Sequence, residues 1–65
     1  MTVDFTPREL EVIKLLSQGL SNKTMSDALQ LSEHTIKYHV ANIAKKLGVN
    51  RRMEIVLLAL KEGWV

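Results

Sequence analysis

The chain of 65 residues suffices for one small domain, which buries only about 60% of the surface that its unfolded chain exposes. It contains no cysteine, which excludes disulfides and thiolate metal sites. No apolar run approaches the roughly 20 residues that cross a bilayer, and the start, MTVDFTPRE, lacks the apolar stretch of a signal peptide. We therefore predict one cytoplasmic domain over residues 1–65 with no membrane contact.

The net charge of +2 hides an uneven distribution. Residues 1–33 hold three basic and five acidic side chains, whereas residues 34–65 hold six basic and two acidic ones. Between His34 and Met53 there is no acid, and the cations there are Lys37, Lys45, Lys46, Arg51 and Arg52. Such a local field attracts polyanions. Charge alone is weak evidence for nucleic-acid binding, because many small helical domains carry a solvated basic face.

Three signals predict that the first helix begins after Phe5. Thr6 can cap it, Pro7 suits the first helical position, and Glu9 can close a capping box. Gly19 supplies the stop. The expected inward residues recur at helical spacing: Leu10, Val12, Ile13, Leu15, Leu16 and Leu20.

A short second helix is predicted after Ser21 as N-cap, and Gln30 with Leu31 forms a tight turn. Its expected inward residues are Met25, Ala28 and Leu29. Ser32 caps a third helix, which Gly48 ends. Because the connection is short, the second and third helices are expected to form a helix-turn-helix pair.

The third helix separates into two faces at about 100° per residue. One face is an apolar seam of Ile36, Val40, Ile43, Ala44 and Leu47. The other face has no carboxylate after Glu33 and comprises His34, Lys37, Tyr38, Ala41, Asn42, Lys45 and Lys46. A surface of cations, hydrogen-bonding groups and one exposed aromatic suits DNA, whose phosphates are anionic and whose major groove admits a helix.

A fourth helix is predicted from about Arg51 to Glu62. Six consecutive apolar residues, from Ile55 to Leu60, surround its axis instead of forming one stripe. A small domain covers only one side of a terminal helix, so the uncovered side predicts a partner surface, most simply a two-fold symmetric copy. The alternative is a singly exposed leucine, which is common.

No segment alternates with a period of two, so no strand is expected. The predicted fold is all-α: four helices, with a helix-turn-helix pair and a C-terminal dimerisation helix.

Several spaced motifs occur in a fixed order along the chain: Thr6-Pro-Arg-Glu9, Gly19-Leu-Ser-Asn-Lys23, Ser32-x-x-Thr35-Ile36-Lys37-x-His39-Val40, Asn42-Ile43 and Lys46-Leu47-Gly48-Val49. Together they resemble the LuxR-type helix-turn-helix domain, which lies at the C-terminal end of NarL- and FixJ-like response regulators and forms small GerE-like regulators. The resemblance covers residues from about Phe5 to Gly63.

The resemblance implies roles by position. Base edges in the major groove are approached by Lys37, Tyr38 and Ala41. Positions at or near the DNA backbone are Lys23, Ser32, Thr35, His39, Asn42, Lys45 and Lys46. The fourth helix is the family's dimer contact, through Met53, Val56, Leu57 and Leu60.

Two departures from the family pattern have structural consequences. Met25-Ser26 stands where the family usually has Ile-Ala, so the Ser26 hydroxyl is expected to be buried and to need a partner, such as a carbonyl one turn back. Arg51 replaces the small polar N-cap residue expected before the fourth helix. Either the start of that helix is therefore less well defined, or Asn50 caps it.

Lys37 is the expected base reader, because its ammonium can donate to O6 and N7 of guanine, although lysine contacts phosphate more often. Tyr38 can contact a thymine methyl group or donate its hydroxyl to a phosphate. Ala41 offers only a methyl group. With so few hydrogen-bonding readers, part of the specificity is expected to come from DNA shape.

No catalytic or metal site is predicted. His34 and His39 are five residues apart, which does not place them on one helix face as a metal pair. No nucleophile–base set, carboxylate pair or glycine-rich phosphate loop occurs. Trp64 is expected to hold the C-terminal tail in place through hydrophobic contacts. We therefore expect no enzyme activity, cofactor or small-molecule ligand.

The sequence predicts a transcriptional regulator domain that binds double-stranded DNA as a homodimer on an inverted repeat, with residues 32–47 in the major groove. The alternative is a protein-interaction module of the transcription machinery that uses the apolar fourth helix, with RNA polymerase as its candidate partner. Whether a sensing or receiver domain precedes residue 1 stays open.

Overall fold

The computed structural model describes residues 3–65. Its helices are α1 (Pro7–Ser17), α2 (Asn22–Leu29), α3 (Glu33–Leu47) and α4 (Arg52–Glu62). The all-α prediction is confirmed, and residues 3–65 contain no strand. Helix α1 packs against the other three helices, and so does α3. These two helices therefore form the centre of the domain.

The first three helices begin at the predicted caps. The Thr6 hydroxyl accepts from the Glu9 N–H at 3.1 Å, and the Glu9 carboxylate accepts from the Thr6 N–H at 2.9 Å, which completes the capping box. The hydroxyl of Ser21 accepts from the Thr24 N–H at 3.1 Å. The hydroxyl of Ser32 accepts from the Thr35 N–H at 3.0 Å. Each cap satisfies a backbone donor that the first helical turn leaves free.

The fourth helix begins without a side-chain acceptor at its cap. Arg51 holds the N-cap position, and the Glu54 carboxylate accepts from its N–H at 3.2 Å. Arg52, the first helical residue, donates to the Asn22 side-chain oxygen and to the Leu20 carbonyl, both at 2.9 Å. The start of α4 is therefore held by long-range hydrogen bonds to the α1–α2 connection and to the first residue of α2.

The core lies between all four helices and consists of Val12, Ile13, Leu16, Met25, Ile36, Ile43, Ile55 and Ala59. Two residues predicted to face inward do not. Leu10 is 39% exposed, because Glu9 shares the inward face of α1 and the next residue points about 100° away. Ala28 is exposed on the outer side of the short α2, whose inward residues are Met25 and Leu29.

The expectations for Ser26 and Trp64 are confirmed. The Ser26 hydroxyl is buried and donates to the Lys23 carbonyl at 2.7 Å, which satisfies it inside α2. The rings of Trp64 and Phe5 meet edge to face, with centroids 5.2 Å apart. The tail after α4 is thus held against the segment that precedes α1.

Candidate nucleic-acid interface

Helix α3 has the two faces that its sequence predicts. Ile36 and Ile43 are fully buried, and Val40, Ala44 and Leu47 are partly buried against the core. On the opposite face Lys37, Tyr38, Ala41 and Lys45 are exposed, and 63% of Tyr38 is accessible. The face opposite the core is therefore free to meet a ligand along most of the helix.

The three predicted base readers lie on this exposed face. Lys37, Tyr38 and Ala41 occupy positions i, i+1 and i+4 of α3, so Lys37 and Ala41 are neighbours one turn apart. The Tyr38 ring lies edge-on to the His39 ring, with centroids 6.0 Å apart. Ala41 has no side chain beyond its methyl group and leaves the surface beside these residues open to close approach.

The predicted backbone contacts fall into two groups. Ser32 and Thr35 lie at the N-terminus of α3, where free N–H groups and the helix dipole favour anions, and their hydroxyl oxygens are 2.9 Å apart. The other group comprises Lys23 on α2 and residues further along α3. Lys45 is exposed, His39 and Asn42 are partly buried, and Lys23 is exposed beside Asp27 at 3.9 Å. That surface ion pair is weak and leaves Lys23 available to a phosphate.

Lys46 has a different environment from the other cations of α3. Its ammonium donates to the Glu9 carboxylate at 2.6 Å and to the Asp4 carbonyl at 2.9 Å. The Lys46 side chain is 36% exposed, whereas that of Glu9 is only 5% exposed. Two of the three donors of this ammonium are therefore engaged inside the domain. Its contact with phosphate stays a prediction.

The ion pair keeps Glu9 ionised. Burial alone raises the pKa of this carboxyl, but hydrogen bonds from the Lys46 ammonium and the Thr6 N–H, together with the lysine charge, lower it further than burial raises it. The net effect is a pKa below the ordinary value of 4.5. A buried negative charge thus faces the C-terminal turn of α3.

Sequence reasoning missed the long-range roles of Glu9 and Arg52. Glu9 was assigned only to the capping box, although a carboxylate on the inward face of a helix requires a cationic partner. That signal was present in the sequence, but it does not say which lysine supplies the partner. For Arg52 the sequence carries no comparable signal, because its acceptors lie 30 and 32 residues away.

An apolar surface on α4 remains uncovered. Met53, Leu57 and Leu60 are 62%, 59% and 60% exposed, and Val56 beside them is partly buried. A groove of about 350 Å³ runs from Met53 and Val56 to Leu16 and Leu20. The four residues predicted for dimerisation therefore lie on the surface in one region of α4.

Within residues 3–65 no group of three or more histidine, cysteine or acidic residues is arranged to hold a metal ion. No helix in that range is long and apolar enough to cross a membrane.

Comparison with known proteins identifies relatives of this chain. A family model described as "Bacterial regulatory proteins, luxR family" matches residues 3–59. The chain is 47% identical over 60 residues to the transcriptional regulatory protein DegU of Brevibacillus brevis, covering 92% of the chain and 25% of DegU. It is 44% identical over 57 residues to the nitrate/nitrite response regulator protein NarP of Escherichia coli (strain K12), covering 88% of the chain and 26% of NarP. The chain thus spans about a quarter of the length of these relatives.

Two solved structures share the fold. The response regulator ChrA of a heme-sensing two-component system superposes with a TM-score of 0.90 at 34% identity, covering 100% of this chain and 32% of ChrA. The transcription factor GerE superposes with a TM-score of 0.85 at 38% identity, covering 92% of this chain and 90% of GerE. The chain therefore belongs to the luxR family of bacterial regulatory proteins, and it is a helix-turn-helix DNA-binding domain of the kind found in response regulators and transcription factors.

Proposed function

We propose that the chain binds an inverted repeat in double-stranded DNA as a homodimer, in the cytoplasm, as the DNA-binding part of a transcription regulator. Helix α3 of each copy enters the major groove of one half-site. The observation that carries this proposal is the outer face of α3, which exposes Lys37, Tyr38, Ala41 and Lys45 opposite a buried seam. The proposed role is binding, with no catalytic activity, cofactor or small-molecule ligand.

In this arrangement the exposed trio reads the bases. The ammonium of Lys37 donates to O6 and N7 of guanine. The Tyr38 ring packs against a thymine methyl group, or its hydroxyl donates to a phosphate. Ala41 permits close approach and contributes only a methyl contact. Because Lys37 is the main hydrogen-bonding reader, DNA shape and deformability supply part of the specificity.

The contacts to the sugar-phosphate backbone fix the register of α3 in the groove. Ser32 and Thr35 lie at the N-terminus of α3, where the helix dipole favours a phosphate. Lys23 approaches from α2, and His39, Asn42 and Lys45 follow along α3. Each lysine that neutralises a phosphate adds about 0.9 to the salt dependence of binding.

The dimer contact is assigned to α4. Met53, Leu57 and Leu60 are each more than half exposed, although they are among the most apolar residues of the helix. A two-fold axis through this surface lets each residue meet the same surface of the other copy, so one patch suffices for both. Burial of such side chains contributes about 25 cal/mol per Å² of apolar surface removed from water.

The DNA assignment is tested by selecting duplexes from a randomised pool with the wild-type domain and measuring their affinity by fluorescence anisotropy. We expect enrichment of an inverted repeat, nanomolar-range affinity and a steep loss with salt. Lys37→Ala is expected to relax the preference at one base position, whereas Lys45→Ala weakens all duplexes alike. Lys61→Ala removes an exposed lysine of α4 and serves as the control. Absence of any enriched sequence would contradict the proposal.

The dimer assignment is tested by sedimentation equilibrium at several protein concentrations, with and without a selected duplex. Leu57→Gln is expected to weaken self-association and DNA binding together. Leu10→Gln changes an exposed leucine of α1 and provides the matched control. If α4 instead served only a protein partner such as RNA polymerase, Leu57→Gln would leave both measurements unchanged and abolish binding of that partner.

A further inference from the structure

A cluster of polar and aromatic residues joins four parts of the chain at the C-terminal turn of α3. It consists of Asp4, Phe5, Glu9, Lys46 and Trp64, and we refer to it as the Lys46 cluster. The Lys46 ammonium hydrogen-bonds Glu9 of α1 and the backbone of Asp4, and it lies 5.9 Å from the centroid of the Phe5 ring. Trp64, after α4, packs edge to face against the Phe5 ring, with centroids 5.2 Å apart.

The Lys46 cluster contacts the C-terminal end of α3, whereas the first base-facing residues, Lys37 and Tyr38, lie near its N-terminal end. Helix α3 has 15 residues and is therefore about 22 Å long, and Lys46 lies about 12 Å along the axis from Tyr38. Ile36 and Ile43 anchor the helix through apolar contacts, which are not directional. The hydrogen bonds of Lys46 are directional and join α3 to α1 and to the segment before it, so they restrict the tilt of α3 in addition to the restriction that core packing provides.

We propose that Lys46 is a positioning residue, which holds α3 at the angle needed for the major groove through its contacts with Glu9 and Asp4, and does not bind a phosphate. The proposal rests on the docking of α3 described under "Proposed function". In that docking Lys45, whose side chain is exposed on the surface, neutralises the phosphate, and Lys46 stays paired with the buried Glu9 carboxylate when DNA binds.

Breaking the pair for a phosphate would be unfavourable. The Glu9 carboxylate is almost fully buried, and its removal from Lys46 would leave an unpaired charge inside the domain. A phosphate offers Lys46 a new partner but offers Glu9 none. The neighbouring Lys45 can contact the backbone without any such loss.

Substitutions of Glu9 separate positioning from simple electrostatics. Glu9→Leu removes a negative charge and frees Lys46, so electrostatics alone predicts tighter DNA binding. Positioning predicts the opposite, a loss of about threefold or more in affinity for a selected duplex. Glu11→Leu makes the same chemical change at a half-exposed site on α1 and is the matched control. Glu9→Gln keeps an acceptor for Lys46 and for Thr6, and is expected to bind within about twofold of the wild type.

The salt dependence of DNA binding distinguishes the proposed roles of Lys45 and Lys46. Lys45→Met is expected to lower the slope of log affinity against log salt by about 0.9 per bound protomer. Lys46→Met is expected to weaken binding with no change in slope, and Lys46→Arg to restore affinity. Circular dichroism and the fluorescence of Trp64, the single tryptophan, give the folded fraction by which each apparent affinity is corrected.

The outcomes are distinguishable. Weaker binding by Glu9→Leu, with Glu11→Leu and Glu9→Gln near the wild type, supports positioning. If Glu9→Leu binds as tightly as Glu11→Leu, the positioning role is overturned. A reduced salt slope for Lys46→Met also overturns it. This second measurement decides the question if Glu9→Leu fails to fold. An unchanged slope for Lys45→Met, with a positioning defect still present in Glu9→Leu, would instead contradict the proposed docking of α3.

Discussion

Arg52 at the start of α4 donates a hydrogen bond to the side-chain oxygen of Asn22 at the start of α2, 30 residues earlier, at 2.9 Å. The same guanidinium donates to the Leu20 carbonyl at 2.9 Å. This fork connects the dimerisation helix of the proposed assembly to the helix-turn-helix pair. Arg51 supplies no side-chain acceptor at the N-cap, so the start of α4 is held by this fork and by the Glu54 carboxylate, which accepts from the Arg51 N–H.

The first prediction concerns this fork. Arg52→Met is expected to lower the free energy of unfolding by about 1 kcal/mol, because two charge-assisted hydrogen bonds are lost at an exposed site. Arg51→Met removes the same charge from an exposed side chain and is expected to change stability by less than about 0.5 kcal/mol. Urea denaturation of both variants provides the measurement. Equal stabilities for the two variants would show that the fork adds nothing.

The second prediction is a pH dependence that arises from Glu9. Its pKa is lower in the folded state than the ordinary 4.5, so its ionised form stabilises the fold. This contribution is fully present above the unfolded pKa and is lost as the pH falls through the lower, folded pKa. Glu9→Gln is therefore expected to be less stable than the wild type at about pH 7. The difference between their free energies of unfolding is expected to be smaller at about pH 3.5.

Urea midpoints at both pH values test this expectation. The groups that face the Glu9 carboxylate are the Lys46 ammonium and the Thr6 N–H. Glu11→Gln, at a half-exposed position of α1, is the control and is expected to show little gap at either pH. A gap for Glu9→Gln that stays constant with pH would be inconsistent with the assigned role.

Local features of the fold were predictable from the sequence because their causes are local. Thr6, Ser21 and Ser32 each lie three residues before the N–H that they cap, and that spacing is visible in the sequence. The two faces of α3 follow from a period of 3.6 residues. The family resemblance was likewise readable, since its motifs are short and ordered along the chain.

The contacts that organise the site were less predictable because they join distant residues. The sequence placed Lys46 on the polar face of α3, and only the packing of α1 on α3 brings it to Glu9, 37 residues earlier. The register of α1 was also missed at Leu10, since the expected apolar face did not allow for a buried carboxylate at the inward position. The Lys46–Glu9 pair was not foreseen and Leu10 was wrongly expected to face inward for one reason, because Glu9 was not recognised as a buried residue.

The third prediction compares two apolar side chains of different burial. Ile43 of α3 is fully buried, so Ile43→Ala is expected to cost about 2–5 kcal/mol, most of the stability of a domain this small. Leu57→Ala is expected to change the stability of the dilute monomer by less than about 0.5 kcal/mol, because 59% of the leucine is already exposed. If α4 is the dimer contact, the Leu57→Ala defect should increase with protein concentration. Thermal unfolding at two concentrations provides the measurement.

The fourth prediction concerns the C-terminal ends of α2 and α3, which lie on either side of α3. Gly48 ends α3 with a positive φ of 70°, and Gln30 ends α2 with a φ of 56°, a left-handed conformation that L side chains adopt at a cost. Gly48→Ala is expected to destabilise the domain by about 1 kcal/mol through the backbone alone, because nothing lies within 4 Å of an added Cβ atom. Gln30→Gly is expected to act in the opposite direction, by about 0.5 kcal/mol, since relief of strain exceeds the entropy that glycine adds to the unfolded chain.

The opposite signs make the comparison informative, since both substitutions exchange one residue at the same type of helix terminus. Urea denaturation measures the two free energies of unfolding. Destabilisation by Gln30→Gly would mean that the Gln30 side chain makes a contribution larger than the strain of its backbone. Gln30 begins the turn between α2 and α3. A Gln30→Gly variant that gains stability but loses affinity for a selected duplex would indicate that the backbone conformation of this turn contributes to DNA binding.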